Sequence, residues 1–235
     1  MTTRKRISVI ALLMIAVTGL VAPSANAAAT RYITVSSQGT IQVVPDAVRI
    51  NATASTLAAT SKDALATNAK TSTAIRAALK AGKIDTKDIA TQSVTVYPEY
   101  KYTADGGAVL TGYRASQSFT ITVRAADTAG SLVDSLVAAG GDNVQINGAT
   151  PFVLDSTKSL EAARAAAVKS AKSKAASYAK LLGVKLGKVN YLVENSAPTN
   201  YAPVMGVAKA ESDATVIDLG QQDVTISVTV QWSLL

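Results

Sequence analysis

Side chains that could take part in catalysis are few in this chain of 235 residues, which contains neither histidine nor cysteine. Ser177 and Lys180 have the Ser-x-x-Lys spacing that penicillin-binding proteins use, but the partner motifs of those enzymes are missing. Imidazole bases, thiolate nucleophiles and thiolate zinc sites are excluded. Two pairs of aspartates lack the spacing of a calcium loop: Asp85 with Asp88, and Asp213 with Asp218. We therefore predict a protein that is not an enzyme and has no cofactor and no metal site.

Basic side chains are concentrated in one Ala-rich segment, residues 158–188, where eight of them stand against Glu161 alone. Such a segment can attract anionic partners such as lipid head groups or acidic cell-wall polymers, although a solvated helix face would have the same composition. Nucleic acid is a poor candidate, because no aromatic residues are interleaved with the lysines in the manner of a nucleic-acid site. The candidate patch for an anionic partner consists of Lys169, Lys172, Lys174 and Lys180.

Tyrosines are concentrated around a second segment, on both sides of a turn at residues 104–107. Tyrosine combines apolar area with a polar tip, which suits protein interfaces and the stacking of sugars. Ordinary cross-strand pairing in a hairpin is the alternative explanation. The candidate interface consists of Tyr97, Tyr100, Tyr102 and Tyr113.

The first 27 residues have the three parts of a secretory signal peptide. Arg4, Lys5 and Arg6 precede an apolar run at residues 7–22, and small residues follow at positions 25–27. The run is shorter than the roughly 20 apolar residues that a spanning helix needs, so cleavage after Ala27 is the favoured interpretation. We expect a mature chain of residues 28–235 that is exported, carries a net charge of +4 and has no integral membrane segment.

The mature chain alternates strand-like and helix-like segments. Residues 48–53 alternate apolar and polar side chains, which predicts a strand with one buried face. Residues 60–82 begin with a capping sequence, carry an apolar stripe at helical spacing and end at Gly82, which predicts a helix of about six turns. The same criteria predict strands at residues 32–39, 41–44, 89–101, 110–125, 144–154, 188–194 and 224–234, and helices around residues 132–137 and at residues 156–182.

A short internal sequence similarity suggests how these elements are organised. Residues 48–51 (VRIN) recur in similar form as residues 144–147 (VQIN), and in each half a strand leads into a capped helix and then two strands. Coincidence and a duplicated β-α-β-β unit, with halves 28–125 and 126–235, both remain open. Either way, the pattern predicts an α+β fold in which helices pack on an antiparallel or mixed sheet.

The order and the sequences of several segments resemble the SIMPL-domain family, and the resemblance covers essentially the whole mature chain. The segments that carry it are Gly39 with Pro45-Asp46, residues 93–100 (SVTVYPEY), residues 112–117 (GYRASQ), residues 165–189 and residues 224–234. The resemblance implies a periplasmic or cell-surface protein for which no catalytic residues are established. It also implies assembly into homo-oligomers and a link to oxidative-stress defence, as in some bacterial members.

A direct chemical role against oxidants finds no support in the residues. Cysteine is absent, and Met205 is the only methionine outside the predicted signal peptide. We therefore expect an exported, noncatalytic envelope protein that self-assembles or binds other proteins, with at most an indirect link to stress defence. The alternative is an extracytoplasmic module that binds anionic envelope components through the lysine-rich helix.

Overall fold

The computed structural model describes residues 31–195, 203–204 and 214–235. The predicted signal peptide at residues 1–27 lies outside the described residues. The helices are α1 (Ser61–Ala81), α2 (Ala129–Gly140) and α3 (Thr157–Leu181). The strands are β1 (Tyr32–Val43), β2 (Ala47–Ala58), β3 (Ile89–Tyr102), β4 (Ala108–Val123), β5 (Val144–Phe152), β6 (Leu186–Glu194), β7 (Pro203–Val204) and β8 (Gln221–Leu234).

The described strands form two antiparallel sheets, so the predicted α+β fold with helices on a sheet is confirmed. Sheet I has the strand order β3-β4-β2-β5, and sheet II has the order β1-β8-β6 with the short β7 also paired to β8. Helices α1 and α2 lie on sheet I, whereas α3 lies on sheet II.

Sheet I buries an apolar core against α1 and α2. Alternate residues of β2 and β4, among them Ile50, Phe119 and Ile121, face the helices, while the residues between them face the other side of the sheet. Ile75 and Leu79 of α1 meet them. Helix α1 begins as the capping sequence predicts, because the Thr60 hydroxyl accepts a hydrogen bond of 3.1 Å from the Asp63 amide.

A buried amide fastens α1 to the two central strands of sheet I. Asn68 is 1% exposed, and its side-chain nitrogen donates hydrogen bonds of 2.8 Å to the Ala54 carbonyl of β2 and 3.0 Å to the Ala115 carbonyl of β4. The hydroxyl of Ser72, one turn later on α1, donates to the Gln117 side-chain oxygen at 2.8 Å. These bonds fix where the helix sits on the sheet as well as satisfying buried polar atoms.

Sheet II is covered by the small side chains of α3. The alanines at positions 163, 167, 171, 175 and 179 are all buried, and the first four pack against a row of β8 residues that includes Val228 and Trp232. Gly39 permits this close packing, since a Cβ atom there would lie 2.2 Å from the Ala163 carbonyl oxygen. Strand β1 accordingly runs unbroken through Gly39, where the sequence predicted two shorter strands.

Strand pairing links the two sequence halves, 28–125 and 126–235. Strand β1 pairs with β8 in sheet II, and β5 pairs with β2 in sheet I. The two similar segments, residues 48–51 and residues 144–147, therefore lie on neighbouring strands of one sheet. Both sheets nevertheless share a pattern, because a helix is followed by an outer strand and a central strand in each: α1-β3-β4 in sheet I and α3-β6-β8 in sheet II.

Candidate interaction surfaces

The tyrosine-rich segments form the β3-β4 hairpin, in which β3 is the edge strand of sheet I. Tyr97, Tyr100 and Tyr102 are 47%, 49% and 76% exposed, whereas Tyr113 is half-buried on β4 opposite Pro98. Side chains alternate between the faces of a strand, so Tyr100, Tyr102 and Tyr113 share the face on which the helices lie, and Tyr97 points the other way. The structure brings three of the four predicted tyrosines together on one face.

An apolar surface, which we call the hairpin stripe, extends along this face of the hairpin. Helix α1 packs mainly on β2 and β4, leaving the helix-side residues of β3 uncovered. The members of the stripe are each between 38% and 76% exposed: Val94, Val96, Tyr100, Tyr102 and Leu110. Sequence analysis identified only the tyrosines, although alternation of valine with polar residues in residues 93–97 could have indicated the rest.

A partly buried ion pair stiffens the hairpin on its other face. The Arg114 guanidinium donates two hydrogen bonds to the Glu99 carboxylate, one of them 2.9 Å long, and a third of 3.2 Å to the Ser55 hydroxyl. The hydrogen bond from Arg114 is the main reason that the pKa of Glu99 is lowered from its ordinary value. Bidentate pairing fixes the relative position of β3, β4 and β2 at the base of the exposed stripe.

A second exposed apolar strand, β6, occupies the corresponding outer position in sheet II. Helix α3 packs on β1 and β8 and makes few contacts with β6. As a result, Val189, Tyr191, Leu192 and Val193 are 43–56% exposed, although they lie on both faces of the strand. Sequence analysis missed this surface, because consecutive apolar residues in a short segment are usually typical of a strand buried on both faces.

All four predicted lysines lie exposed on α3, on the side away from the alanine stripe or beside it. Arg164 pairs with Glu194, but no ion pair joins Lys169, Lys172, Lys174 or Lys180 to another side chain among the described residues. Their charges are therefore available to solvent or to a partner.

The lysines divide into two groups by position. Lys174 lines an open groove of about 420 Å³ between α3 and β1. Lys169 and Lys174 line an adjoining open depression of about 570 Å³ that is formed by α3 residues alone and shares Lys174 and Ser177 with the groove. Lys172 and Lys180 line neither of them. The predicted patch is thus divided: Lys174 lies in the groove wall, Lys169 lies beside it in the depression on α3, and the other two lysines are exposed elsewhere on the helix.

The described residues form no catalytic arrangement around the Ser-x-x-Lys pair or around the aspartates noted in the sequence. Ser177 and Lys180 are both exposed on α3, and Asp88 accepts hydrogen bonds of 2.7 and 2.8 Å from Arg124. These bonds are the main cause of a lowered pKa at Asp88. Asp213 lies outside the described residues.

Within the described part of the chain, no three acidic side chains converge as a metal site would require, and no helix is long and apolar enough to cross a membrane.

Comparison with known proteins gives one family and several relatives. The model of the SIMPL family, described as a protein of unknown function (DUF541), matches residues 33–232. The 26 kDa periplasmic immunogenic protein of Brucella melitensis is 28% identical over 213 residues, which cover 86% of this chain and 84% of the relative. The uncharacterized protein YggE of Escherichia coli K12 is 29% identical over 188 residues, 77% and 72% of the two chains. Its namesake in Edwardsiella ictaluri is 36% identical over 126 residues, 51% of each chain.

The family match extends from β1 to β8 and so includes both sheets and all three helices. The periplasmic location in the name of the Brucella relative agrees with the export signal predicted from the sequence. The protein is accordingly an exported one, and the chain belongs to the SIMPL family.

Proposed function

We propose that this protein has no catalytic role and acts in the cell envelope by self-association through its exposed outer strands. The observation that carries the proposal is the pair of outer strands, β3 and β6, whose apolar side chains are left uncovered by the helices. Soluble proteins normally protect such edges with charges, bulges or a covering element. An uncovered edge with exposed tyrosine, valine and leucine is typical of a protein interface.

The hairpin stripe is the stronger half of this proposal. Strand β3 is 14 residues long, its outer edge pairs with no other described strand, and Arg114 and Glu99 hold it against β4. A second copy could add its own edge strand to β3 and bury the stripe at the same time, which combines backbone hydrogen bonds with apolar burial. Such an interface needs no ligand, so any part in stress defence would be indirect.

Light scattering on the mature protein, residues 28–235, tests the proposal. We expect a mass well above that of one chain, which falls to the monomer when two stripe residues become charged in Val94→Lys/Tyr100→Lys. Tyr32→Lys, at an equally exposed tyrosine on β1, is the matched control and should leave the mass unchanged. Far-ultraviolet circular dichroism verifies that each variant is folded. A monomer at all concentrations, or assembly that survives the double substitution, would refute self-association through the stripe.

We propose as a second function that α3 binds an anionic envelope component. The supporting observation is that Lys169, Lys172, Lys174 and Lys180 are all exposed and that none pairs with an acidic side chain in the described residues. Sedimentation with anionic phospholipid vesicles tests this. Binding should weaken steeply as salt shortens the Debye length below about 10 Å, and binding that does not respond to salt would contradict the idea.

A further inference from the structure

The outer edge of β1 pairs with no other strand among the described residues. The Leu234 amide donates to the Arg31 carbonyl at 2.9 Å, so odd-numbered residues turn their backbone groups toward β8. The Lys174 amine lies 3.4 Å from the Ser36 carbonyl oxygen, so even-numbered residues turn theirs outward. The register between β1 and β8 has no shift, and this alternation therefore holds along the strand. Thr34, Ser36 and Gln38 present N–H and C=O groups as the edge of a sheet would to an added strand.

Helix α3 forms a second wall beside this edge. It lies close to β1 because Gly39 has no side chain, and a hydrogen bond of 2.7 Å from the Ser37 hydroxyl to the Ser170 hydroxyl joins the strand to the helix. The groove between them is lined by residues 34–36 of β1 and by Lys174, Ser177 and Tyr178 of α3, and an adjoining depression on α3 extends back to Ala166. The helix from Ala166 to Tyr178 is about 18 Å long, which matches roughly five residues of an extended chain.

The groove has a single sign of charge. Lys174 in the groove and Lys169 in the adjoining depression are the charged lining residues, and the other lining side chains are hydroxyl-bearing, apart from Val35 and Ala166. Lys174 reaches across to the Ser36 carbonyl and so covers the edge at this point, as lysines often do on edge strands. An incoming carboxylate can take the Lys174 amine away from Ser36 and free that carbonyl for a backbone N–H.

We propose that the groove between β1 and α3 binds an extended acidic peptide segment of another protein, which adds to sheet II as a strand beside β1. Its backbone bonds to Thr34, Ser36 and Gln38, and its carboxylates pair with Lys169 and Lys174. Strand addition supplies affinity that does not depend on side chains, while the two lysines select for acidic sequence. This proposal shares with the second proposed function only one premise, the positive charge of α3. It is independent of self-association through the hairpin stripe.

Fluorescence anisotropy with a labelled peptide of about eight residues, alternating glutamate and valine, tests this proposal. The protein is the mature chain carrying Val94→Lys/Tyr100→Lys, so that self-association does not interfere. We expect the peptide to bind, and Lys174→Gln to weaken binding by roughly fivefold, the loss of one partly exposed charge pair. Lys172→Gln makes the same change of charge on the same helix outside the groove and should change affinity by less than about twofold. Equal effects of the two substitutions, stronger binding by the Lys174 variant, or no binding would overturn the proposal.

Two further arms separate strand addition from simple charge attraction. A peptide of equal charge with alternate valines replaced by proline cannot pair along an edge and should bind at least about tenfold more weakly. Hydrogen exchange should show new protection at the Thr34, Ser36 and Gln38 amides when the first peptide is present. If the proline peptide binds equally well and these amides gain no protection, strand addition is refuted, while binding of anionic envelope components through α3 would survive.

Discussion

The buried amide of Asn68 allows the stability of sheet I to be tested quantitatively. In Asn68→Ala the protein loses hydrogen bonds to two strands and leaves the carbonyls of Ala54 and Ala115 buried near an apolar methyl group. A net value of about 0.5–1.5 kcal/mol for each of the two bonds gives a destabilisation of roughly 1–3 kcal/mol. The backbone conformation of α1 should be unaffected, because alanine is a good helix former.

Urea unfolding of the mature chain measures this loss, with Asn51→Ala as the control. Asn51 lies half-buried on the opposite face of β2, where its side-chain oxygen accepts a 2.9 Å hydrogen bond from Thr120, and its replacement should cost less than about 1 kcal/mol. If Asn68→Ala cost no more than the control, Asn68 would not be fastening the helix to the strands.

Asn68→Asp examines the same site through pH. A carboxylate would face two carbonyl oxygens at hydrogen-bond distance, which raises its pKa in the folded protein above the usual value of about 3.9. The folded state then holds the proton more tightly than the unfolded state does. The variant should therefore be least destabilised below about pH 4 and lose further stability as pH rises through the raised pKa. A destabilisation that is the same at pH 4 and pH 8 would refute the reasoning.

Three other predictions follow from the contacts described. Gly39→Ala should lower the free energy of unfolding by about 1–3 kcal/mol in urea, because its Cβ atom forces α3 off β1, whereas Gln38→Ala on the exposed face should have little effect. The pKa of Asp88 is lowered from its ordinary value of 3.8, so its bond to Arg124 stabilises the fold at pH values above 3.8. This stabilisation is lost as the pH falls through the lowered pKa. Arg124→Ala should therefore reduce the change in the urea midpoint of unfolding between pH 6 and pH 2.5. Trp232, the single tryptophan and 4% exposed, should emit at short wavelength when sheet II is intact and shift to the red when it unfolds, and an emission spectrum typical of exposed indole in native protein would contradict the packing of α3 on β8.

Local pattern predicted most of the elements but not how they pair. The cap at Thr60 and the alternation in β2 depend on neighbouring residues, so a single sequence reveals them. The pairing of β1 with β8 joins residues between 179 and 201 positions apart, from Val43 with Gln222 to Tyr32 with Ser233, and no local pattern specifies which strands meet. That pairing is why a single predicted sheet became two.

The candidate surfaces were predicted in part for a similar reason. Clustering in sequence identified the tyrosines and the lysines, but strand alternation separates Tyr97 from the other tyrosines, and the position of α3 over Gly39 separates Lys174 from Lys172. The exposure of β6 depends on where α3 lies across sheet II, which is a property of packing between distant segments.

The pairing of the first strand with the last also sets an order for folding during export. All strands of sheet I lie between residues 47 and 152, so that sheet can form while the rest of the chain is still crossing the membrane. Strand β1 emerges first but has no partner until β8 arrives, which leaves twelve residues of unpaired strand exposed for most of the translocation time. The step that completes sheet II joins distant segments and should be the slower one. Until that step is complete, the β1 residues that sheet II buries, Val35, Ser37 and Gly39, stay exposed to solvent.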